Sequence, residues 1–179
     1  LGDVYKRQTN QGAYEYNRRT SEIHLLPHTS GQNWYVKQID SQVFIGNDMS
    51  TMLVEQNGSI QSVPGALNST CIVEASINGQ EVLVEASYAE LRIWKKQAGI
   101  WKLSHNVQDF YAPIKSLEVD GTGTIWASHM YNGLYRIKLD DDLHRIKDLE
   151  HIHTLGGKQK SGKIHVMKIR GRIVFSNTE

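Results

Sequence analysis

The sequence predicts an all-β fold: a sector of a β-propeller with four-stranded antiparallel blades, amounting to about four blades. Three observations predict it: a repeat of about forty residues, turn-forming dipeptides within the repeat, and apolar residues at every second position. The repeat is visible in four similar segments that start 39, 39 and 43 residues apart, at residues 12–17, 51–56, 90–95 and 133–138. A unit of this length with four short strands is typical of a propeller blade.

The turns within the repeat predict tight hairpins. Asn78-Gly79, Asp120-Gly121 and Asn57-Gly58 each lie between apolar-rich runs. These dipeptides tolerate the positive φ angles that two-residue hairpin loops require. Residues 140–152 come closest to a helical period, but the repeat places the fourth strand of a blade there, so we predict a strand.

The predicted strands group into complete and partial blades. We expect complete blades at residues 34–64, 70–106 and 112–149, the two outer strands of a blade at 12–26, and the two inner strands of another at 163–176. Residues 1–8 fit none of this pattern, so we interpret them as a non-native leader joined to a propeller fragment at 9–179. An open row of blades exposes apolar faces and strand edges, which favours a fragment of a larger propeller. The alternative is that the two partial blades pair and close a four-bladed ring.

Composition excludes several classes of function. The 179 residues contain 20 Lys and Arg against 19 Asp and Glu, a net charge of +1, so we expect no nucleic-acid partner. No apolar run is long enough to cross a bilayer, and we expect no direct membrane contact in this segment. The single cysteine, Cys71, cannot form an intramolecular disulfide and is expected to pack as a small apolar residue.

The fourth predicted blade carries a recognisable motif. Residues 114–126 read Ile-Lys-Ser-Leu-Glu-Val-Asp-Gly-Thr-Gly-Thr-Ile-Trp, and residues 132–137 read Asn-Gly-Leu-Tyr-Arg-Ile. This segment resembles the two-component regulator propeller repeat, in which Asp-x-x-Gly-x-Ile/Leu-Trp is followed by Gly-Gly-Leu-Tyr-Arg. The matching residues are Asp120, Gly123, Ile125, Trp126, Gly133, Leu134, Tyr135 and Arg136. The second and third blades have no tryptophan at the position equivalent to Trp126, and they share only the period of the repeat.

The resemblance implies a place in a larger signalling protein. Such propellers form the sensor region of hybrid two-component systems and transmembrane transcriptional regulators, before a triple-tyrosine domain, a membrane helix and a kinase or DNA-binding output. It implies a periplasmic, extracytoplasmic location in an inner-membrane protein, and neighbouring blades and domains of the parent protein as partners. It leaves a homodimer of the parent protein open. Histidine kinase activity would lie outside this chain, and many such sensors respond to breakdown products of complex glycans.

Three motifs that suggest other chemistry are incomplete. Residues 157–163 match the phosphate-loop pattern, but Ile164 replaces the Mg²⁺-binding hydroxyl and an alternating strand follows where a helix is needed. His151 and His153 share one face of a strand but lack a third ligand for zinc. Asp140-Asp141-Asp142 reads as a hairpin tip. We therefore predict no cofactor and no metal.

The connections of the predicted blades contain the candidate ligand-binding residues. In a propeller, the connection from the second to the third strand emerges on the same face as the connection to the next blade. Aromatic rings beside polar side chains suit sugars, because the rings stack on apolar sugar faces while polar groups bind hydroxyls. Trp34 and Tyr111 also lie near these connections. The predicted ligand-binding residues are Asn47, Asp48, Tyr88, His129, Tyr131 and Asn132.

These patterns favour a non-catalytic ligand-sensing propeller that biases neighbouring domains when it binds an oligosaccharide or another small ligand. The first alternative is a propeller that acts as a protein-interaction scaffold. The second is a propeller-type polysaccharide lyase or glycosidase, because carboxylates from two blades can meet in the fold. No nucleophile motif or carboxylate pair stands out in the sequence, so we predict no enzymatic activity and no catalytic residue.

Overall fold

All regular elements that the structure describes are β-strands. The computed structural model describes residues 4–55, 57–155, 158–159 and 163–178, and no α-helix occurs within these ranges. The strands, numbered in chain order, are β1 (Val4–Thr9), β2 (Gly12–Asn17), β3 (Glu22–Leu25), β4 (Asn33–Ile39), β5 (Gln42–Asn47), β6 (Thr51–Val54), β7 (Ile60–Ser62), β8 (Ser69–Ile77), β9 (Gln80–Ser87), β10 (Leu91–Gln97), β11 (Ile100–Asn106), β12 (Ile114–Val119), β13 (Ile125–His129), β14 (Leu134–Leu139), β15 (Ile146–Ile152), β16 (Thr154–Leu155), β17 (Lys158–Gln159), β18 (Lys163–Ile169) and β19 (Arg172–Thr178).

The strands pair in chain order, as expected of propeller blades. Strands β4–β7, β8–β11 and β12–β15 form three four-stranded meanders, β1–β3 form a three-stranded sheet, and β16–β17 and β18–β19 form two-stranded sheets. The predicted all-β propeller sector is therefore confirmed. The chain divides into two compact units, residues 1–70 and 71–179.

The first unit contains sheets β1–β3 and β4–β7. Its apolar core joins strands of both sheets and the segment after β3, through Ala13, Leu26, Ile45 and Met52. Thr29 reinforces this contact: its hydroxyl oxygen accepts a hydrogen bond from the amide of Ala13 at 3.0 Å and donates to the carbonyl of Leu26 at 2.7 Å.

The second unit is built around the apolar faces of sheets β8–β11 and β12–β15. Alternate residues of the strands enter this core, as the sequence alternation predicts, except at the bulge in β12 between Ile114 and Ser116. The buried strand residues are Ile77, Val82, Val84, Ala86, Leu91, Ile93, Ile114, Leu117, Val119, Ile125, Ala127, Ile137 and Leu139. Cys71 is half-buried and packs against the same core, as predicted.

Hairpin β18–β19 packs on the opposite face of sheet β12–β15. Ile164 and Val166 are buried against Leu134 and the ring of Trp126. The Trp126 and Phe175 ring centroids lie 5.5 Å apart. On the other face of the hairpin, Met167, Ile169 and Val174 are exposed.

Most predicted hairpin turns are present, but one has a different turn geometry. Asn78 and Gly79 have φ angles of 51° and 75°, as a two-residue hairpin requires. In the Asp120 turn, the residue with positive φ is Gly123 at 81°, rather than Gly121. The reason is that Asp120 accepts hydrogen bonds from two amides further along the turn and so widens it.

Two further segments bear on the sequence predictions. Residues 146–152 form strand β15, so the repeat, rather than the weak helical period, predicted this segment correctly. Residues 4–9, most of which belong to the segment interpreted as a non-native leader, form strand β1, which pairs with β2 from Val4↔Asn17 to Thr9↔Gly12; the non-native origin of residues 1–8 stays a prediction. Backbone pairing needs no apolar pattern, so this strand was not predicted from the repeat.

Candidate ligand-binding face

The loop after the second strand of a four-stranded sheet is closed by a side chain in three successive sheets. The residues that close it, Asn47, Ser87 and His129, are the last residues of β5, β9 and β13. Oδ1 of Asn47 accepts from the amide of Met49 at 2.8 Å, and Oγ of Ser87 accepts from the amide of Glu90 at 2.9 Å. In each loop, the side chain of the last strand residue accepts a hydrogen bond from a loop amide, but the accepting group differs from loop to loop.

His129 closes the β13–β14 loop through its imidazole. Nδ1 accepts hydrogen bonds from the amides of Tyr131 at 3.1 Å and Asn132 at 2.9 Å. The amide of His129 donates to the carbonyl of Gly133 at 3.1 Å. Because Nδ1 accepts, the neutral ring carries its proton on Nε2.

His151, on the neighbouring strand β15, holds the same loop from another side. Its Nε2 lies 3.0 Å from the carbonyl oxygen of Asn132, and its ring stacks on Tyr135 with centroids 4.1 Å apart. The ring of His153 lies 3.8 Å from that of His151. The result is a compact cluster of imidazole and phenol rings beneath the loop.

Two exposed tyrosines lie on adjoining loops of the second unit. Tyr131 is 67% exposed and Tyr111 is 82% exposed. Their loops are joined directly, because the amide of Met130 donates to the carbonyl of Pro113 at 2.8 Å. Exposed rings beside imidazole and amide groups form a surface that stacks on apolar faces and binds polar substituents.

The structure favours the neutral forms of His129 and Tyr135. Burial lowers the pKa of His129, and the charges of His151 and His153 lower it further. Burial also raises the pKa of the Tyr135 phenol. Both shifts favour the uncharged form of these two rings at neutral pH.

In the first unit, the side chains of Asn47 and Asp48 form hydrogen bonds with other groups of the chain. Asn47 is fully buried, and its amide nitrogen donates to the carbonyl of Ser30 and to Oδ1 of Asn33, both at 3.2 Å. Oδ1 of Asp48 accepts from the indole of Trp34 at 2.9 Å. Asn47 therefore shapes its loop from within.

Tyr88 lies in the β9–β10 loop and is half-buried. The base of this loop is fixed by charge: Arg92, buried, lies 3.6 Å from the buried carboxylate of Glu85 and 3.3 Å from that of Glu90. Asn106 also donates to Glu90 at 3.1 Å. These contacts join the buried Arg92 and Glu85 to the more exposed Glu90 and Asn106 and fix the base of the loop.

The structure thus brings three of the six predicted residues together, His129, Tyr131 and Asn132. Tyr88 lies on a different loop of the same unit, and Asn47 and Asp48 belong to the first unit. Sequence reasoning missed the contribution of Tyr135 and His151. Their proximity follows from the β14–β15 register, in which they are directly opposed.

The other motifs have structural explanations where they are described. Asp140–Asp142 lie in the β14–β15 turn, where Oδ1 of Asp140 accepts the amide of His144 at 2.8 Å. No group of three metal-binding side chains occurs among the described residues. Gly157, Lys160, Ser161 and Gly162 of the 157–163 motif lie outside the described residues.

A cleft lies at the turn end of the same sheets, away from the tyrosines. It is lined by the residues that follow: Ile77, Asn78, Thr122, Gly123, Lys138, Leu139, Asp141 and Lys147. Both positively charged lysines and the negatively charged Asp141 line the cleft, so its charge is mixed. In the part of the chain that the structure describes, no helix is long and apolar enough to cross a membrane.

Comparisons with known proteins identify similar folds. No family model matches the chain, and no curated protein matches it. Two structures of the extracellular domain of BT4673 from B. thetaiotaomicron, described as a one-component or a hybrid two-component system, each give a TM-score of 0.71. They are 19% and 20% identical to this chain and match 98% and 99% of it, which corresponds to 25% of their own length.

A second sensor and an enzyme share the fold. The extracellular domain of BT3049 from the same organism, assigned to a hybrid two-component system, gives a TM-score of 0.62 at 16% identity, over 98% of this chain and 25% of its own. The dihydro-heme d1 dehydrogenase NirN gives 0.56 at 15% identity, over 98% of this chain and 39% of its own. This chain shares the propeller fold of these proteins and spans about a quarter of the sensor domains.

Proposed function

We propose that this chain is a non-catalytic, ligand-sensing part of a signalling protein and that it binds an oligosaccharide released from a complex glycan. The observation that carries the proposal is the pair of exposed rings, Tyr111 and Tyr131, on loops joined by the Met130–Pro113 hydrogen bond. His129 and Asn132 supply polar groups beside the rings. Flat exposed rings with adjacent polar groups suit a sugar, which has an apolar face and a rim of hydroxyls.

The setting of the domain supports the same proposal. The fold is shared with extracellular domains assigned to two-component systems, and residues 114–137 resemble the repeat of such sensors. We infer an extracytoplasmic location and, as partners, the other blades and domains of the parent protein. Ligand binding would act by favouring one arrangement of those domains. Asn47, Asp48 and Tyr88 enter the proposal as residues that shape or flank the loops.

The experiment is a calorimetric titration of the chain with oligosaccharides from plant, host and microbial glycans. We expect one of these classes to bind, and Tyr131→Ala and Tyr111→Ala each to weaken binding about 5- to 150-fold, because stacking of a flat ligand on an aromatic ring contributes about 1–3 kcal/mol. Ile169→Ala, an exposed residue of hairpin β18–β19, is the control and should bind normally. Binding that survives loss of both tyrosines would contradict the proposal.

Two other functions are distinguishable in the same samples. A protein-interaction scaffold would bind no saccharide but would lose a protein partner when Tyr111 and Tyr131 are replaced. A lyase or glycosidase would release new reducing ends during incubation. NirN shows that the fold accommodates an enzyme, so this product assay accompanies the titration.

A further inference from the structure

The three second-to-third-strand loops differ in whether the group that closes them can bind a proton. Asn47 Oδ1 and Ser87 Oγ accept amide hydrogen bonds at any ordinary pH. His129 does the same with an imidazole nitrogen, whose lone pair is the site of protonation. One of three equivalent loops therefore depends on a titratable acceptor.

A proton on Nδ1 of His129 is incompatible with the closed loop. Both hydrogen bonds to Nδ1 are donated by backbone amides, those of Tyr131 and Asn132. Protonation turns the acceptor into a donor, so that three N–H groups would converge on one point. The two amides must then turn away from Nδ1. Once they have lost this acceptor, they need water as a new hydrogen-bond partner, which favours an open loop.

The surroundings of His129 disfavour its protonation. Within the described residues, the charges that act on its ring are those of His151 and His153, and both oppose a positive charge. Tyr131 from its own loop and Tyr135 from β14 lie beside the ring, each with centroids 6.0 Å away. From β12 and the preceding loop, the neighbours are Ile114, paired with His129, and Pro113, which accepts the amide of Met130.

His151 responds differently because it acts as a donor. Its Nε2 lies 3.0 Å from the carbonyl oxygen of Asn132, and a nitrogen that donates to a carbonyl does not depend on an unprotonated lone pair. Acidification therefore breaks the His129 contacts of Asn132 while its His151 contact remains. The expected change is a local opening of the loop and leaves the sheet intact.

We propose that uptake of a proton from solvent at Nδ1 of His129 opens the 129–133 loop and thereby withdraws Tyr131 from the ligand-binding face. The loop opening stands on the hydrogen bonds of His129 alone. Its consequence for ligand binding rests on the proposed function.

The direction of the pH effect follows from linkage. The pKa of His129 is lowered in the closed loop, so the open loop binds more protons than the closed one. The closed loop is favoured above the ordinary histidine value of about 6.5. As the pH falls below that value towards the lowered pKa, the closed-to-open ratio decreases by up to tenfold per pH unit.

The test is ¹⁵N NMR of the whole chain between about pH 7.5 and about pH 5, a range that spans histidine titration. We expect His129 to carry its proton on Nε2 at the upper pH. The amides of Tyr131 and Asn132 should shift and exchange faster with solvent, relative to their intrinsic rates, as His129 titrates. The amides of Ala89 and Glu90, which bond to Ser87, serve as the internal reference and should not respond.

His129→Asn and His129→Ser are the matched variants, because they install the acceptors that the chain uses in the other two loops. Both should keep the Tyr131 and Asn132 amides protected at every pH. The proposal is overturned if these amides stay unchanged while His129 titrates in the wild type, or if His129→Asn is as pH-sensitive as the wild type.

A saccharide titration at both pH values separates this inference from the proposed function. Binding that weakens at least about tenfold from the upper to the lower pH in the wild type supports the switch, provided that the ratio of the two affinities stays near one in His129→Asn, whatever the absolute affinity of that variant. Equal binding at both pH values overturns the switch and leaves the proposed function standing. If no saccharide binds at either pH, the proposed function fails, and the amide measurements alone decide whether the loop opens.

Discussion

Asp120 performs two tasks with its two carboxylate oxygens. Oδ1 accepts the amides of Thr122 and Thr124 at 2.8 and 3.1 Å and so closes its own turn. Oδ2 accepts the indole N–H of Trp126 at 2.8 Å. Burial favours the neutral acid, but the hydrogen bonds from Thr122, Trp126 and Thr124 outweigh it and lower the pKa of Asp120. The Asp and Trp of the sequence motif are thus joined physically.

Asp120→Asn should therefore reduce the free energy of unfolding by about 1–3 kcal/mol in urea titrations at neutral pH. An asparagine can still close the turn through Oδ1, but its amide group would face the N–H of Trp126. In a Trp126→Phe background the same replacement should cost less. Equal costs in the two backgrounds would show that the Asp120–Trp126 contact contributes nothing.

The pH dependence of the same contact has a definite sign. Because the pKa of Asp120 is lowered in the folded protein, its contribution is complete above the unfolded value of about 3.9. It is lost as the pH falls through the lowered folded value. Unfolding measured against pH should therefore show a smaller acid-induced loss in Asp120→Asn than in the wild type.

Gly133 is required by both its backbone angle and its neighbours. Its φ is 79°, and an added Cβ would lie 2.5 Å from the carbonyl oxygen of Ile152. Gly99 has a similar φ of 80° with open space around it. Gly133→Ala should thus cost more than about 1 kcal/mol beyond Gly99→Ala in thermal or urea unfolding, and it should shift the amide of Tyr131. Equal costs for the two variants would contradict this packing.

At the scale of elements, hairpin β18–β19 provides a clear contrast between its two faces. Ile164 is 1% exposed and packs with Leu134, whereas Ile169 on the same strand is 50% exposed. Ile164→Ala should reduce the free energy of unfolding by about 2–5 kcal/mol. Ile169→Ala should change it by less than about 0.5 kcal/mol. Similar losses at both positions in urea titrations would contradict the placement of this hairpin.

Most strands were predictable because the forty-residue repeat and the alternation of apolar residues indicate the same strand positions. Strand β15 was assigned by its place in the repeat although its own pattern was ambiguous, and it pairs with β14 as required. The turn at Asp120 was assigned to the right place, but its width depends on side-chain hydrogen bonds that a dipeptide does not specify. Strand β1 was missed because it has backbone pairing without a sequence pattern.

The site was less predictable, since it depends on distances across strands. His129, Tyr131 and Asn132 were predicted to lie together because they belong to one loop, and their role in ligand binding stays a prediction. Their contact with His151 requires the β14–β15 register, which places it opposite Tyr135. Asn47 has the same position in its sheet as His129 in another, yet its side chain is fully buried. Composition and spacing did not distinguish these two environments.

At the scale of the whole molecule, the proposed function is recognition without chemistry. The fold alone leaves this open, because sensor domains and an oxidoreductase both share it. We expect a saccharide that binds to be recovered unchanged after prolonged incubation, as measured by mass spectrometry and a reducing-end assay. Accumulation of shorter products, abolished by Tyr131→Ala, would establish an enzyme instead.

The most direct test of the central claim is to map the binding surface by ¹H–¹⁵N NMR during a saccharide titration. We expect the perturbed amides to cluster in the 107–113 and 129–133 loops, and Tyr111→Ala and Tyr131→Ala to abolish the perturbations. A saccharide that perturbs only the opposite ends of the strands, at turns 78–79, 98–99 and 120–124, or one that leaves both loops unaffected while it binds, would contradict the account.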